Sequence, residues 1–204
     1  MVEIFYFVNL MDDAFFVFQD QIEQLIHQKS NQIEVRILPT VDFSMMDQFF
    51  TLKGVKRSNL DYRNELFQIG YEAALDFEGI MMIHHQSLAI EYVRNLQFIL
   101  KKTGHFTPAD RSQVLRQLHI DESLLNRRRD GELIHDKIQH NQHLARQMSV
   151  QTLPSLIVFN FTRDMDCAIR IDHIEEFKLL QEQLLASNSV QEAVQQNQYL
   201  QLSN

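Results

Sequence analysis

Two adjacent carboxylates, Asp12 and Asp13, follow the apolar run "MVEIFYFVNLM" and precede an amphipathic stretch beginning at Ala14 and Phe15. A helix start is a place where chemistry is often done, because unpaired N–H groups and the helix dipole favour negative charge there. A thiol at such a place becomes a thiolate nucleophile. A carboxylate there can cap the helix or act in acid–base work, and adjacent carboxylates at a helix start more often serve as cap and dipole partner. No nucleophile accompanies the pair: residues 1–29 hold no Cys, Ser or Thr. The chain has a single cysteine, Cys167, in an apolar strand pattern where a free thiol behaves as a small hydrophobe.

Other reactive residue types have plain readings. Asp136, His140 and His143 fall within one arc of a helix, a spacing that could offer three metal ligands. A solvated polar face accounts for them equally, so no metal or cofactor is expected. His84 and His85 are adjacent and diverge on a helix. Arg127, Arg128 and Arg129 sit beside Asp130 and Glu132 and read as a solvated turn. With 27 acidic and 19 basic residues the net charge is −8, which opposes nucleic-acid binding. There is no phosphate-binding loop and no dinucleotide fingerprint.

The elements that would position these residues follow from periodicity. Residues 3–9 form a continuous apolar run, as in a strand covered on both faces. Phe15, Phe18, Ile22, Leu25 and Ile26 then recur at helical spacing to about Ser30. Ile33, Val35 and Ile37 alternate with polar residues in a strand ending at Pro39. Strand–helix–strand implies a parallel pair. Residues 40–148 carry helical signals throughout. They include a stop at Gly54, a Ser58 or Asn59 cap with an end near Gly79, and a helix closing with Lys101 and Lys102 before Gly104. Thr107–Pro108 forms a further start, and Leu133, Ile138, Leu144, Ala145 and Met148 make one stripe. Met45, Met46, Phe49 and Phe50 at helical spacing read as core, with an adaptable partner surface as the other use of such residues. Strand patterns return in "TLPSLIVFNF" and "DMDCAIRID", and Asp172 with Glu175 suggests a capping box for a last helix.

The expected organisation is therefore a core of residues 1–39 plus 149–187, a helical insertion over 40–148 and a Gln/Asn-rich tail over 188–204. No secretory leader is expected at the N-terminus and no apolar run spans a bilayer, so the expected location is cytoplasmic.

The order β-α-β, helical insert, β-β-α resembles the DsbA family, an α/β thioredoxin-like fold with a large helical insertion. Within it, the chain resembles the YjbH (SpxH) type of adaptor. Two segments carry the resemblance. "FYFVNLMDDAFF" lines up with the family's apolar strand, Asp/Asn-Pro-x, Cys-x-x-Cys and aromatic. "QTLPSLIVFN" matches its cis-proline loop, with Pro154 at the proline. The resemblance places Asn9 at the Asp/Asn and Leu10 at the Pro. Asp12 and Phe15 fall at the two cysteines, with Asp13 and Ala14 between them and Phe16 at the aromatic. A one-residue shift would place Met11 and Ala14 at the cysteines instead. Neither register supplies a thiol, and disulfide exchange needs a thiolate and a resolving thiol. The resemblance then implies a protein-binding groove around Asp12, Phe16, Leu153 and Pro154. The implied partner is a Spx-type regulator delivered to the ClpXP protease, with no role for nucleic acid or membrane. The alternative is a thiol-disulfide oxidoreductase or glutathione-dependent transferase or isomerase of the same superfamily, whose key hydroxyl or thiol has no counterpart here.

Overall fold

A computed structural model describes residues 1–29, 32–159 and 168–185. The elements are β1 (Val2–Val8), α1 (Ala14–Gln28), β2 (Ile33–Pro39), α2 (Met46–Leu52), α3 (Leu60–Ile83), α4 (Gln86–Thr103), α5 (Pro108–Gln117), α6 (Glu122–Arg129), α7 (Glu132–Gln147), β3 (Ser155–Phe159) and β4 (Ile169–Ile171). Residues 174–185 form a further helix, α8. Cys167 and the tail lie outside the described residues.

The strands make one sheet in the order β2-β1-β3-β4. β1 runs parallel to β2, as the strand–helix–strand pattern requires, and antiparallel to β3, which pairs antiparallel with β4. β1 is central, which explains its apolar run. Ile4, Tyr6 and Val8 enter one core with Phe15, Phe18 and Phe177, while Phe7 enters a second with Leu38, Ala145 and Ile157. This is the expected DsbA-like thioredoxin fold, with its sheet built from both ends of the chain and α2–α7 between them.

Several local expectations need correction. Gly79 does not end α3. The helix runs on to Ile83, and a Cβ at Gly79 would lie 2.6 Å from Leu125 Cδ1, so the glycine lets α6 approach. The arginine run is not a solvated turn: it forms the last turn of α6, and Arg129 is buried. There Arg129 Nη1 donates to Asp76 Oδ1 at 2.9 Å, and Arg129 also pairs with Glu72. Arg111 meets the same fully buried Asp76 through Nε at 2.7 Å and Nη2 at 2.8 Å, and Tyr92 donates to it at 2.6 Å. On α7 the buried stripe is Ile134, Ile138, Asn141 and Ala145, leaving Leu133 in solvent. The N–H groups of Asp172 and His173 are accepted by Glu176, not Glu175. Met45, Met46, Phe49 and Phe50 are core residues, which removes them as a partner surface.

Candidate functional site

The turn between β1 and α1 is built from its own side chains. Asn9 Oδ1 accepts from the Met11 N–H at 3.1 Å, and Asp12 Oδ1 accepts from the Ala14 N–H at 3.0 Å. Asp12 is thus the residue that satisfies an orphan donor of α1, while Asp13 makes no side-chain cap bond. Burial pushes the Asp12 carboxyl above its ordinary range. The Ala14 N–H and Lys53 oppose that shift, and Asp13 adds to it. Among the described residues, the buried carboxamide nitrogen of Asn9 has no hydrogen-bond partner.

Phe15 is fully buried. Its ring stacks on Tyr6 with centroids 5.8 Å apart, and its carbonyl accepts from the Tyr6 hydroxyl at 2.7 Å. This pair fastens α1 to β1. Phe16 is half-buried, meets Phe15 edge-on at 4.8 Å and lies beneath the Arg94 guanidinium, 4.4 Å from the ring centroid. Met11 is buried and Asp12 partly so, whereas Asp13 is exposed.

The Leu153–Pro154 peptide bond is cis. Phe7 stands opposite Ser155 in the antiparallel ladder, so the chain before Ser155 leaves the sheet at the end where Asn9 leaves β1. The proline loop and the start of α1 therefore share one sheet end. The Leu153 side chain is buried. It is 7% exposed and packs with Phe7, Leu38, Met45 and Val150. Its main chain differs: neither N–H nor C=O of Leu153 takes part in a hydrogen bond among the described residues.

The insertion contributes residues that local patterns did not single out. Gln97 of α4 is buried, and its Nε2 donates to the carbonyls of Leu10 and Asp12, each at 2.8 Å. Lys53, just past α2, and Lys101 of α4 place their ammonium groups 3.6 and 3.9 Å from Asp13 Oδ2. A cavity of about 190 Å³ lies beside this turn, lined in part by Met11, Asp13, Phe49, Lys53, Gln97 and Lys101. Of Gln97, Lys53 and Lys101, only Lys101 carried a sequence signal, and the helix dipole already accounted for it. Asp136, His140 and His143 line an open depression on α7 with Arg146. Among the described residues no group of three or more His, Cys, Asp or Glu is placed to hold a metal ion. No helix among them is long and apolar enough to cross a membrane.

The site offers main-chain donors and acceptors, a partly buried carboxylate and an apolar ring under an arginine. Among residues 1–29 and 32–159 there is no thiol to exchange a disulfide, since the single cysteine is Cys167.

A family model described as Thioredoxin matches residues 5–182. Among solved structures, a variant of alpha-DsbA1 from Wolbachia pipientis is similar at 12% identity and a TM-score of 0.59, covering 93% of this chain and 88% of that one. The thiol-disulfide exchange protein alpha-DsbA2 from the same organism is similar at 14% identity and a TM-score of 0.57, covering 90% and 82%. A variant of DsbA from Pseudomonas aeruginosa gives 14% identity and a TM-score of 0.57, covering 92% and 88%. These likenesses show the fold. No curated protein matches the chain.

Proposed function

The chain belongs to the thioredoxin family, and from that footing we propose that it binds an extended segment of a protein partner between the start of α1 and the proline loop, without disulfide exchange. The observation that carries this reading is that, among the described residues, the main chain of Leu153 has no hydrogen-bond partner, at the sheet end where the Asn9 carboxamide nitrogen also has none. An extended peptide pairs with such exposed main-chain groups by hydrogen bonds, and neighbouring side chains then set specificity. The residues set at the cysteine places support binding over redox work. Asp12 offers a carboxylate that cannot form a disulfide, and Phe15 is committed to the core.

The resemblance to YjbH-type adaptors supports a Spx-type regulator as the bound protein and ClpXP as the destination. Delivery is a binding task and needs no thiol at Asp12 or Phe15.

Two measurements test the reading. A photo-crosslinking residue at position 12 or 16 should capture a purified Spx-type regulator, while the same residue at the exposed position 179 of α8 should not. Equal capture at all three places, or none, rejects the groove. In parallel, the protein should not accelerate dithiothreitol-driven insulin reduction. Turnover abolished by Cys167→Ser would return the chain to redox chemistry.

A further inference from the structure

The cavity beside the α1 start is bordered by Lys53 and Lys101. Two basic stretches, residues 53–57 and 94–102, supply Lys53, Gln97, Leu100 and Lys101 to its lining, across from Asp13 and from Tyr62 and Leu66 of α3. Those stretches contain Lys53, Lys56, Arg57, Arg94, Lys101 and Lys102 and no Asp or Glu, in a chain where acids outnumber bases 27 to 19. Large apolar side chains are interleaved with the cations and face solvent: Leu52 is 71% exposed and Phe98 is 68% exposed. Phe98 lies four residues after Arg94 and three before Lys101, so the three share one face of α4. The acidic groups nearest these cations are already engaged. Asp13 lies between Lys53 and Lys101, Glu91 pairs with Arg94 at 3.4 Å, and Asp47 serves Arg57 and the buried Arg63.

Helix-end chemistry accounts for part of this. Lys101 and Lys102 complement the C-terminal end of the α4 dipole. Lys53 likewise stands at the C-terminal end of α2 and lies over the Phe49 ring, 5.6 Å from its centroid; neither role accounts for the bare Phe98 ring or for Lys53 and Lys101 meeting one carboxylate.

We propose that this rim, formed by the start of α1, the end of α2 and the exposed face of α4, docks an acidic segment of a protein partner that also carries large apolar side chains. This inference rests on the binding function proposed above and names the chemistry of the partner. A carboxylate entering beside Lys53 and Lys101 meets two ammonium groups shared with Asp13, Lys53 also facing Asp12, and the half-buried Leu100 meets the adjoining side chain. Phe98 and Leu52 flank the path and lose exposed apolar surface on docking. A short peptide is favoured over a membrane or a nucleic acid by charge. An extended polyanion would also face the acidic remainder of this chain, whereas a short segment meets only the rim.

The test uses the full-length chain and a fluorescein-labelled synthetic peptide of about 12 residues. The peptide interleaves Glu with Leu and Phe, and a twin carries Gln for every Glu. The acidic peptide should bind saturably and the twin should bind at least about tenfold more weakly. Raising NaCl from about 50 to about 300 mM should weaken the acidic peptide by a similar factor. Lys53→Glu/Lys101→Glu should abolish binding, and Phe98→Ser should weaken it about fivefold. Phe98→Ser should melt with the native chain, since that ring is exposed; because Lys53→Glu/Lys101→Glu sets carboxylates beside Asp13, Lys53→Gln/Lys101→Gln is measured with it and should stay folded while weakening the acidic peptide at least about fivefold. Equal binding of peptide and twin, or undiminished binding by the charge-reversed variant, overturns the proposal. So does preferential binding of phosphatidylglycerol vesicles or of a single-stranded oligonucleotide. The two readings can fail separately. A partner crosslinked at position 12 but indifferent to Lys53→Glu/Lys101→Glu removes only the acidic rim. An acidic peptide held at the rim, with no partner crosslinked at position 12 or 16, removes only the groove.

Discussion

Replacing Gln97 tests whether the helical insertion holds the candidate site in shape. Its amide nitrogen lies 2.8 Å from both the Leu10 and Asp12 carbonyl oxygens, so the orientation with nitrogen toward the turn is the one both acceptors require. Gln97→Leu keeps the volume and removes the donor. The Asp12 carbonyl would still accept from the Phe15 N–H at 3.0 Å. The Leu10 carbonyl, in a residue only 3% exposed, would have no hydrogen-bond partner left among the described residues. One orphaned buried acceptor costs about 1–3 kcal/mol and one lost bond to a satisfied acceptor about 0.5–1.5 kcal/mol, so the sum is centred near about 3 kcal/mol. For a chain of this size that corresponds to roughly 6–12 °C in melting temperature. Gln97→Glu should cost more near neutral pH, because a carboxylate would face two carbonyl oxygens and Asp12 without a proton to donate. Acidification should recover part of that difference by restoring one donor. Urea unfolding of both variants, with amide exchange at Met11 and Ala14, measures the global and local effects. A Gln97→Leu variant within about 0.5 kcal/mol of the native chain, with unchanged exchange in the turn, would refute the clamp.

Asp76→Asn should destabilise by about 2–4 kcal/mol in denaturant unfolding, because the buried Arg129 and partly buried Arg111 would each lose one carboxylate and keep only Glu72 and Glu122. The Asp12 carboxyl is raised by burial on folding, so its contribution to stability is fully present below the unfolded aspartate range and is lost as pH rises through the raised value. Asp12→Asn should therefore gain stability relative to the native chain between about pH 3.5 and about pH 7, as read from urea midpoints across that range. Gly79→Ala should destabilise by about 1–3 kcal/mol, although alanine is the better helix former by about 1 kcal/mol, because the added Cβ meets Leu125 at 2.6 Å. Thermal unfolding of Gly79→Ala alone and with Leu125→Ala would show whether that contact is the cause.

Much of the fold was legible locally. The unbroken apolar run of β1 announced a central strand, and the alternation in β2 announced its parallel partner. Thr107, Pro108 and Asp110 announced the start of α5, where the Thr107 side chain accepts from the Asp110 N–H and the Asp110 carboxylate accepts from the Thr107 N–H. The absence of a thiol at the first helix start was plain from composition alone. These signals are local because period, capping and composition each depend on neighbours within a few residues.

What the tertiary structure decided depends on which faces meet. Gln97 lies 87 residues from Leu10 and reaches it only because α4 packs against the β1–α1 turn. The proline marked Leu153 as a groove residue, but only the structure shows that its side chain belongs to the second core while its main chain has no hydrogen-bond partner among the described residues. The arginine run read as a solvated turn until α3 brought Asp76 and Glu72 to Arg129. Lys53 and Lys101 stand 48 positions apart, and nothing in the spacing of either joins them to Asp13. A sequence states the period of each helix and where it starts. The angle at which an inserted helix lies on its neighbours follows from how their side chains interlock, and that packing brought the basic rim to the start of α1.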